Sequence, residues 1–113
     1  MNAREFDAKE FVSSLPRRPG VYRMYNADHE ILYIGKAKNL RDRVGTYFAA
    51  SNVNPKVQAL VGLIADIEVT VANSETEALL LEYNLIKAHR PRFNVTLRDD
   101  KSFPYIYLHD THE

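Results

Sequence analysis

Two short runs of strand-forming residues, Val21-Tyr22-Arg23-Met24-Tyr25 and Ile31-Leu32-Tyr33-Ile34, stand close together with the turn formers Asn26 and Asp28 between them. No other feature restricts the fold as much. β-branched and aromatic residues favour extended backbone, and a connection this short returns the chain antiparallel, through a turn slightly longer than two residues. The resulting hairpin is the natural centre of a small sheet.

The remaining elements arrange themselves around it. Phe6, Phe11, Val12 and Leu15 sit at roughly helical spacing, and Pro16 followed by Pro19-Gly20 stops that helix. Asn39 can cap a helix reaching Tyr47-Phe48, with Leu40, Val44 and Phe48 as its inner stripe. Asn54-Pro55 opens another, turning Val57, Leu60, Val61 and Ile64 inward. Ile67, Val69 and Val71 alternate as a strand. Ser74-Glu75-Thr76-Glu77 is a capping box that starts a long helix to about His89. Pro91 ends it, a basic loop-like stretch follows, and Tyr105-Ile106-Tyr107-Leu108 forms a last short strand. The order predicts a small mixed α/β (α+β) domain with a central antiparallel sheet flanked by helices.

A chain of 113 residues fits one domain, residues 1–113, and excludes a second independent core. There is no cysteine, which removes disulfides, thiolate metal sites and a cysteine nucleophile, and fits a reducing compartment. No apolar run approaches the roughly 20 residues of a spanning helix, and the N-terminus is charged where a signal peptide is apolar, so no membrane contact is expected and the cytoplasm is the expected location. The 15 Lys and Arg balance the 15 Asp and Glu, which argues against a strong free-standing nucleic-acid binder. The cations are clustered, however. Lys36, Lys38, Arg41 and Arg43 lie together against the single Asp42, and Lys87, Arg90, Arg92 and Arg98 lie in a stretch without acids. Two such patches suit local contact with a polyanion by a chain that draws most of its affinity from a partner.

Glu82 is the most informative residue. Its helical neighbours three and four positions away are Ala78, Leu79, Leu85 and Ile86, so an acid points from the core-facing side of the helix. A buried carboxylate must be paired, protonated or bound to a cation. A structural ion pair with Lys or Arg is the plain alternative to a ligand role. Glu75 and Glu77 are first-turn caps. Tyr33-Ile34-Gly35-Lys36 reads as a strand end, a turn glycine and a loop lysine. It is no phosphate-cradling P-loop, since Glu30 and Ala37 occupy the positions where that motif needs Gly and Ser or Thr. Lys36, Arg43 and Tyr47 could still converge on a phosphate near the strand end. Tyr22 and Tyr33, one on each hairpin strand, ordinarily pack with their hydroxyls at the rim. Joined to Lys36, Arg43 and Glu82 they complete what phosphodiester hydrolysis requires: a metal ligand, cations for developing charge and a proton acceptor. His29, His89, His109 and His112 are scattered and carry no site.

Gly20-Val21-Tyr22 and Tyr33-Ile34-Gly35, with Lys36-Ala37-Lys38-Asn39-Leu40, Glu77-Ala78-Leu79-Leu80-Leu81-Glu82 and Arg90-Pro91-Arg92-Phe93-Asn94, resemble the GIY-YIG nuclease family, and within it the N-terminal nuclease domain of the UvrC branch. The likeness covers about residues 12–108. It implies the GIY-YIG nuclease fold and a divalent-metal-dependent endonuclease, with one Mg²⁺ or Mn²⁺ ion. In that branch the domain makes the 3′-side incision in damaged double-stranded DNA after hand-off from UvrA and UvrB. By position, Glu82 matches the metal-binding carboxylate and Tyr33 the tyrosine proposed to deprotonate the attacking water. Tyr22 matches its hydrogen-bonding companion, and Lys36 and Arg43 the cations beside the scissile phosphate. Tyr47 and Asn94 match positions that orient ligands or hold the site. Lys36, Lys38, Arg41, Arg43, Lys87, Arg90 and Arg92 are the candidate DNA contacts. Proteins of the branch are much longer, so the chain is expected to be an excised, monomeric domain. The competing readings are a homing or restriction enzyme of the same superfamily and a non-catalytic DNA- or protein-binding module that kept the fold.

Overall fold

The computed structural model describes residues 6–98. Its elements are α1 (Ala8–Ser14), β1 (Gly20–Tyr25), β2 (Ile31–Ala37), α2 (Leu40–Phe48), α3 (Pro55–Leu63), β3 (Asp66–Val71), α4 (Glu75–His89) and α5 (Arg92–Arg98). The strands form one sheet in the order β2-β1-β3, antiparallel throughout, so the first hairpin strand is central and the second is an edge. Asn26 shapes the hairpin turn. Its side-chain oxygen accepts from the N–H groups of Asp28 and Glu30, both at 2.9 Å, and His29 takes the left-handed conformation with φ 65°.

The three expected caps, Asn39, Asn54 and Ser74, all form, and Asp7 adds a fourth at the start of α1. Asp7 accepts from Glu10 N–H, Asn39 from Asp42 N–H, Asn54 from Lys56 and Val57 N–H, and Ser74 from Glu77 N–H. Glu77 reaches back to the N–H of Asn73, one residue before the cap. α4 closes at Arg90, whose left-handed φ of 46° turns the chain into Pro91.

Register fixes what each sheet face carries. Tyr22 lies opposite Gly35 and Val69, and Met24 opposite Tyr33 and Ile67. This face packs against α2, α3, α5 and the segment after α1, through Leu15, Leu40, Val44, Tyr47, Val57, Leu60, Phe93 and Leu97. Val21 and Ile34 belong to the opposite face, where α4 covers them with Ala78, Leu81, Leu85 and Ile86. The sheet therefore separates two apolar cores, and β1 and β2 contribute to both.

Three expectations change and one is untested. The basic stretch after Pro91 is not a loop: residues 92–98 form α5, held by buried Phe93 and Leu97 one turn apart. Gly35 and Lys36 are not in a turn or loop but inside β2. In α2 the fully buried third position is Tyr47 rather than Phe48, which packs at the margin against Phe6. The expected strand at Tyr105–Leu108 lies outside the described residues, as do His109 and His112. Among the described residues, no helix is long and apolar enough to cross a membrane.

Candidate active site

Three tyrosines from three elements meet on the sheet face beneath α2. The ring centroids of Tyr22, Tyr33 and Tyr47 are 5.7–6.2 Å apart, and all three side chains are buried. The hydroxyls of Tyr22 and Tyr47 are 2.6 Å apart. The Tyr22 hydroxyl thus pairs with that of Tyr47, and the Tyr33 ring packs beside both. Burial pushes the Tyr22 phenol above its ordinary value, against the opposing charge of Arg43 and the bond from Tyr47. Burial likewise lifts Tyr47 well above the usual range, and the neighbouring Tyr22 adds to it.

Arg43 stands one helical turn before Tyr47, its guanidinium 5.4 Å from that ring's centroid and its charge beside the Tyr22 hydroxyl. Burial works against its charge, but the phenols of Tyr22, Tyr47 and Tyr33 outweigh this and hold it firmly protonated.

Glu82 enters from the other side of the sheet. It is fully buried on α4, and burial pushes its carboxyl up to about 7 against the lowering influence of Lys36, through its charge and its backbone N–H, and of the Arg43 charge. That N–H belongs to the outer edge of β2. Two residues earlier the same edge is closed by Asn94 of α5, whose amide accepts from Ile34 N–H at 2.9 Å and donates to Ile34 C=O at 2.8 Å. One side chain replaces the missing neighbour strand. Glu82 and Asn94 thus flank Lys36, and the acid faces the tyrosine cluster across the end of β2.

The structure therefore brings Tyr22, Tyr33, Tyr47, Lys36, Arg43 and Glu82 to one end of β2, with Asn94 bracing its edge. The other candidate DNA contacts lie around this group. Lys38 is exposed. Arg41 donates through Nε to the carbonyl of Leu15 at 2.9 Å and ties α2 to the end of α1. Lys87 lies over the exposed Tyr83 ring, Arg92 over Phe93, and Arg90 is exposed at the α4 cap.

Among the described residues, no group of three or more His, Asp or Glu converges on a point. The donor set is one buried carboxylate beside phenol hydroxyls, all hard oxygen. This fits a hard dication that keeps most of its water, with Glu82 as the protein ligand.

Residues 18–95 match the UvrC-like GIY-YIG domain family. The chain belongs to this family. Among curated GIY-YIG relatives, UvrABC system protein C of Hahella chejuensis is 61% identical over 103 residues, 91% of this chain and 17% of that protein. The Klebsiella pneumoniae protein is 56% identical over 108 residues, 95% of this chain and 18% of its length. The chain thus spans less than a fifth of the proteins it matches. Among solved structures, the GIY-YIG N-terminal endonuclease domain of UvrC from Thermotoga maritima, bound to its catalytic divalent cation magnesium, superposes with a TM-score of 0.70 at 33% identity. The match covers 82% of this chain and 98% of that one. Point mutants of the Thermotoga domain, three replacing a tyrosine with phenylalanine and one an asparagine with alanine, are also bound to that cation.

Two features of the GIY-YIG site escape a reading of the residues alone. The main chain of Ile34, pinned by Asn94, carries no side-chain signal. The space above Gly35 depends on which residue the register sets opposite it, and no local pattern states that register.

Proposed function

We propose that this domain is a divalent-cation-dependent endonuclease that hydrolyses one phosphodiester bond on the 3′ side of a lesion in double-stranded DNA. It acts within a longer protein loaded through UvrA and UvrB. The observation that carries the reading is Glu82: an acid without exposed surface, held up to about 7 beside Lys36 and Arg43 at the mouth of a tyrosine cluster.

A hard dication on Glu82 supplies Lewis-acid stabilisation of the charge that builds on the phosphate. The Thermotoga domain keeps its cation in three tyrosine mutants and in an asparagine mutant, as a site whose ligand is a carboxylate should. The Lys36 ammonium and the Arg43 guanidinium face the same charge, and Arg43 offers a planar fork to two phosphate oxygens. The Arg43 charge lowers the cost of a phenolate among these tyrosines, and a phenolate takes the proton of the attacking water and becomes the neutral phenol. Burial keeps the Tyr22 and Tyr47 phenols neutral at rest, so proton uptake requires the positive charge assembled with substrate. Lys38, Lys87, Arg90 and Arg92 contact the DNA backbone on either side.

Glu82→Gln tests the reading in the longer protein with UvrA, UvrB and a lesion-bearing duplex. Loss of the 3′ incision with DNA binding retained is the expected result; an unchanged rate would sink it. A Mn²⁺ soak of this chain should give an anomalous peak at Glu82 that the same variant lacks.

A further inference from the structure

We propose that Gly35 is a positioning residue: having no side chain, it lets the Tyr22 ring lie across its backbone, and this sets the Tyr22 hydroxyl against Tyr47 and Arg43. The inference rests on the nuclease reading for its catalytic consequence, but its geometry stands alone. Gly35 lies directly opposite Tyr22 in the β1–β2 register. A Cβ built on Gly35 overlaps the Tyr22 hydroxyl and stands 2.5 Å from Cζ and 2.9 Å from Cε1. No glycine among the described residues has a positive φ, so the backbone at Gly35 would accept alanine. What excludes a side chain is space alone.

The ring has nowhere to retreat. Tyr22 is 1% exposed, with the Tyr33 and Tyr47 rings at 6.2 and 5.7 Å between centroids. A methyl group at position 35 must lift the ring and break the 2.6 Å contact between the Tyr22 and Tyr47 hydroxyls. Gly20 is also crowded, by the Thr70 carbonyl and Leu40, but neither belongs to the tyrosine cluster, and the other two glycines are open. A Cβ at Gly45 meets only Val12 at 3.4 Å, and one at Gly62 meets nothing within 4 Å.

The test is a cycle of Gly35→Ala, Tyr22→Phe and their combination, with Gly62→Ala as control, assayed for 3′ incision in the longer protein with UvrA and UvrB. Misplacement of a reacting group by about 1 Å costs on the order of 100-fold, the loss expected for Gly35→Ala. In the Tyr22→Phe background the same change should cost less than about 3-fold, because the hydroxyl it displaces is already gone. Equal losses in both backgrounds would overturn the proposal. A crystal structure of this chain carrying Gly35→Ala supplies a readout independent of activity. The Tyr22 and Tyr47 hydroxyls should be out of hydrogen-bond reach, and an intact contact refutes the idea. Should Gly35→Ala not fold, Tyr22→Leu makes room for the methyl: the double variant should then melt with Tyr22→Leu alone, and a further drop refutes the clash. A wild-type protein without incision removes the nuclease reading, and the hydroxyl geometry still decides whether Gly35 places Tyr22.

Discussion

Glu82 is held in a state that the fold alone would not choose. Its carboxyl titrates near 7 in the folded chain against an ordinary value of 4.5, so the folded state binds the proton more tightly than the unfolded state. Stability from this group is therefore full below about pH 4.5 and lost as pH rises toward 7, by roughly 3 kcal/mol. Glu82→Gln should raise the melting temperature at pH 8, by an increment worth about 1–3 kcal/mol, and the gain should vanish at pH 5 in a melting series. The same titration opposes a cation, so Mn²⁺ affinity should fall about tenfold for each pH unit below 7 and level off above it, as calorimetry can show. Arg43→Lys should not restore the incision lost in Arg43→Ala, because an ammonium cannot present a planar fork, while the melting temperature of either stays within a few degrees of wild type. The position of Glu82 was legible from its apolar helical neighbours. The structure adds that one of those neighbours, Leu79, is 39% exposed while Glu82 itself is fully buried. Gly35 was not legible in this way, since its role lies in a residue thirteen positions earlier that only the strand pairing brings across.

At the scale of elements, α5 is the piece that the sequence reading lost. Its seven residues show one apolar pair, Phe93 and Leu97, and include the β-branched Val95 and Thr96, and Pro91 reads equally well as a stop for α4 and as the entry to a new turn. The helix exists because Phe93 and Leu97 close the core under α3 and because Asn94 satisfies the β2 edge. Asn94→Ala strands a buried N–H and a buried C=O of Ile34, and should lower stability by about 2–4 kcal/mol in urea or thermal unfolding. By contrast the hairpin, the caps at Asn39, Asn54 and Ser74 and the long α4 were all readable, since each rests on contacts within a few residues of sequence.

For the molecule as a whole, the sheet is a partition with the chemistry at its rim. The tyrosines occupy one face, Glu82 arrives from the helix on the other, and the two meet only beyond the end of β2. The balanced charge of the chain limits what it can do alone. Its affinity for duplex DNA at physiological salt should be weaker than about 100 μM, with a shallow dependence on salt. Joint alanine substitution of Lys87, Arg90 and Arg92 should flatten that dependence further, and fluorescence anisotropy across a salt series measures both. The amide of Asn94 carries a last consequence. A sheet edge left open recruits strands from other molecules, and here one side chain of the site, Asn94, closes that edge at Ile34. Drift at Asn94 thus threatens solubility as well as the site, and a population of such chains is policed by aggregation before any loss of chemistry is felt.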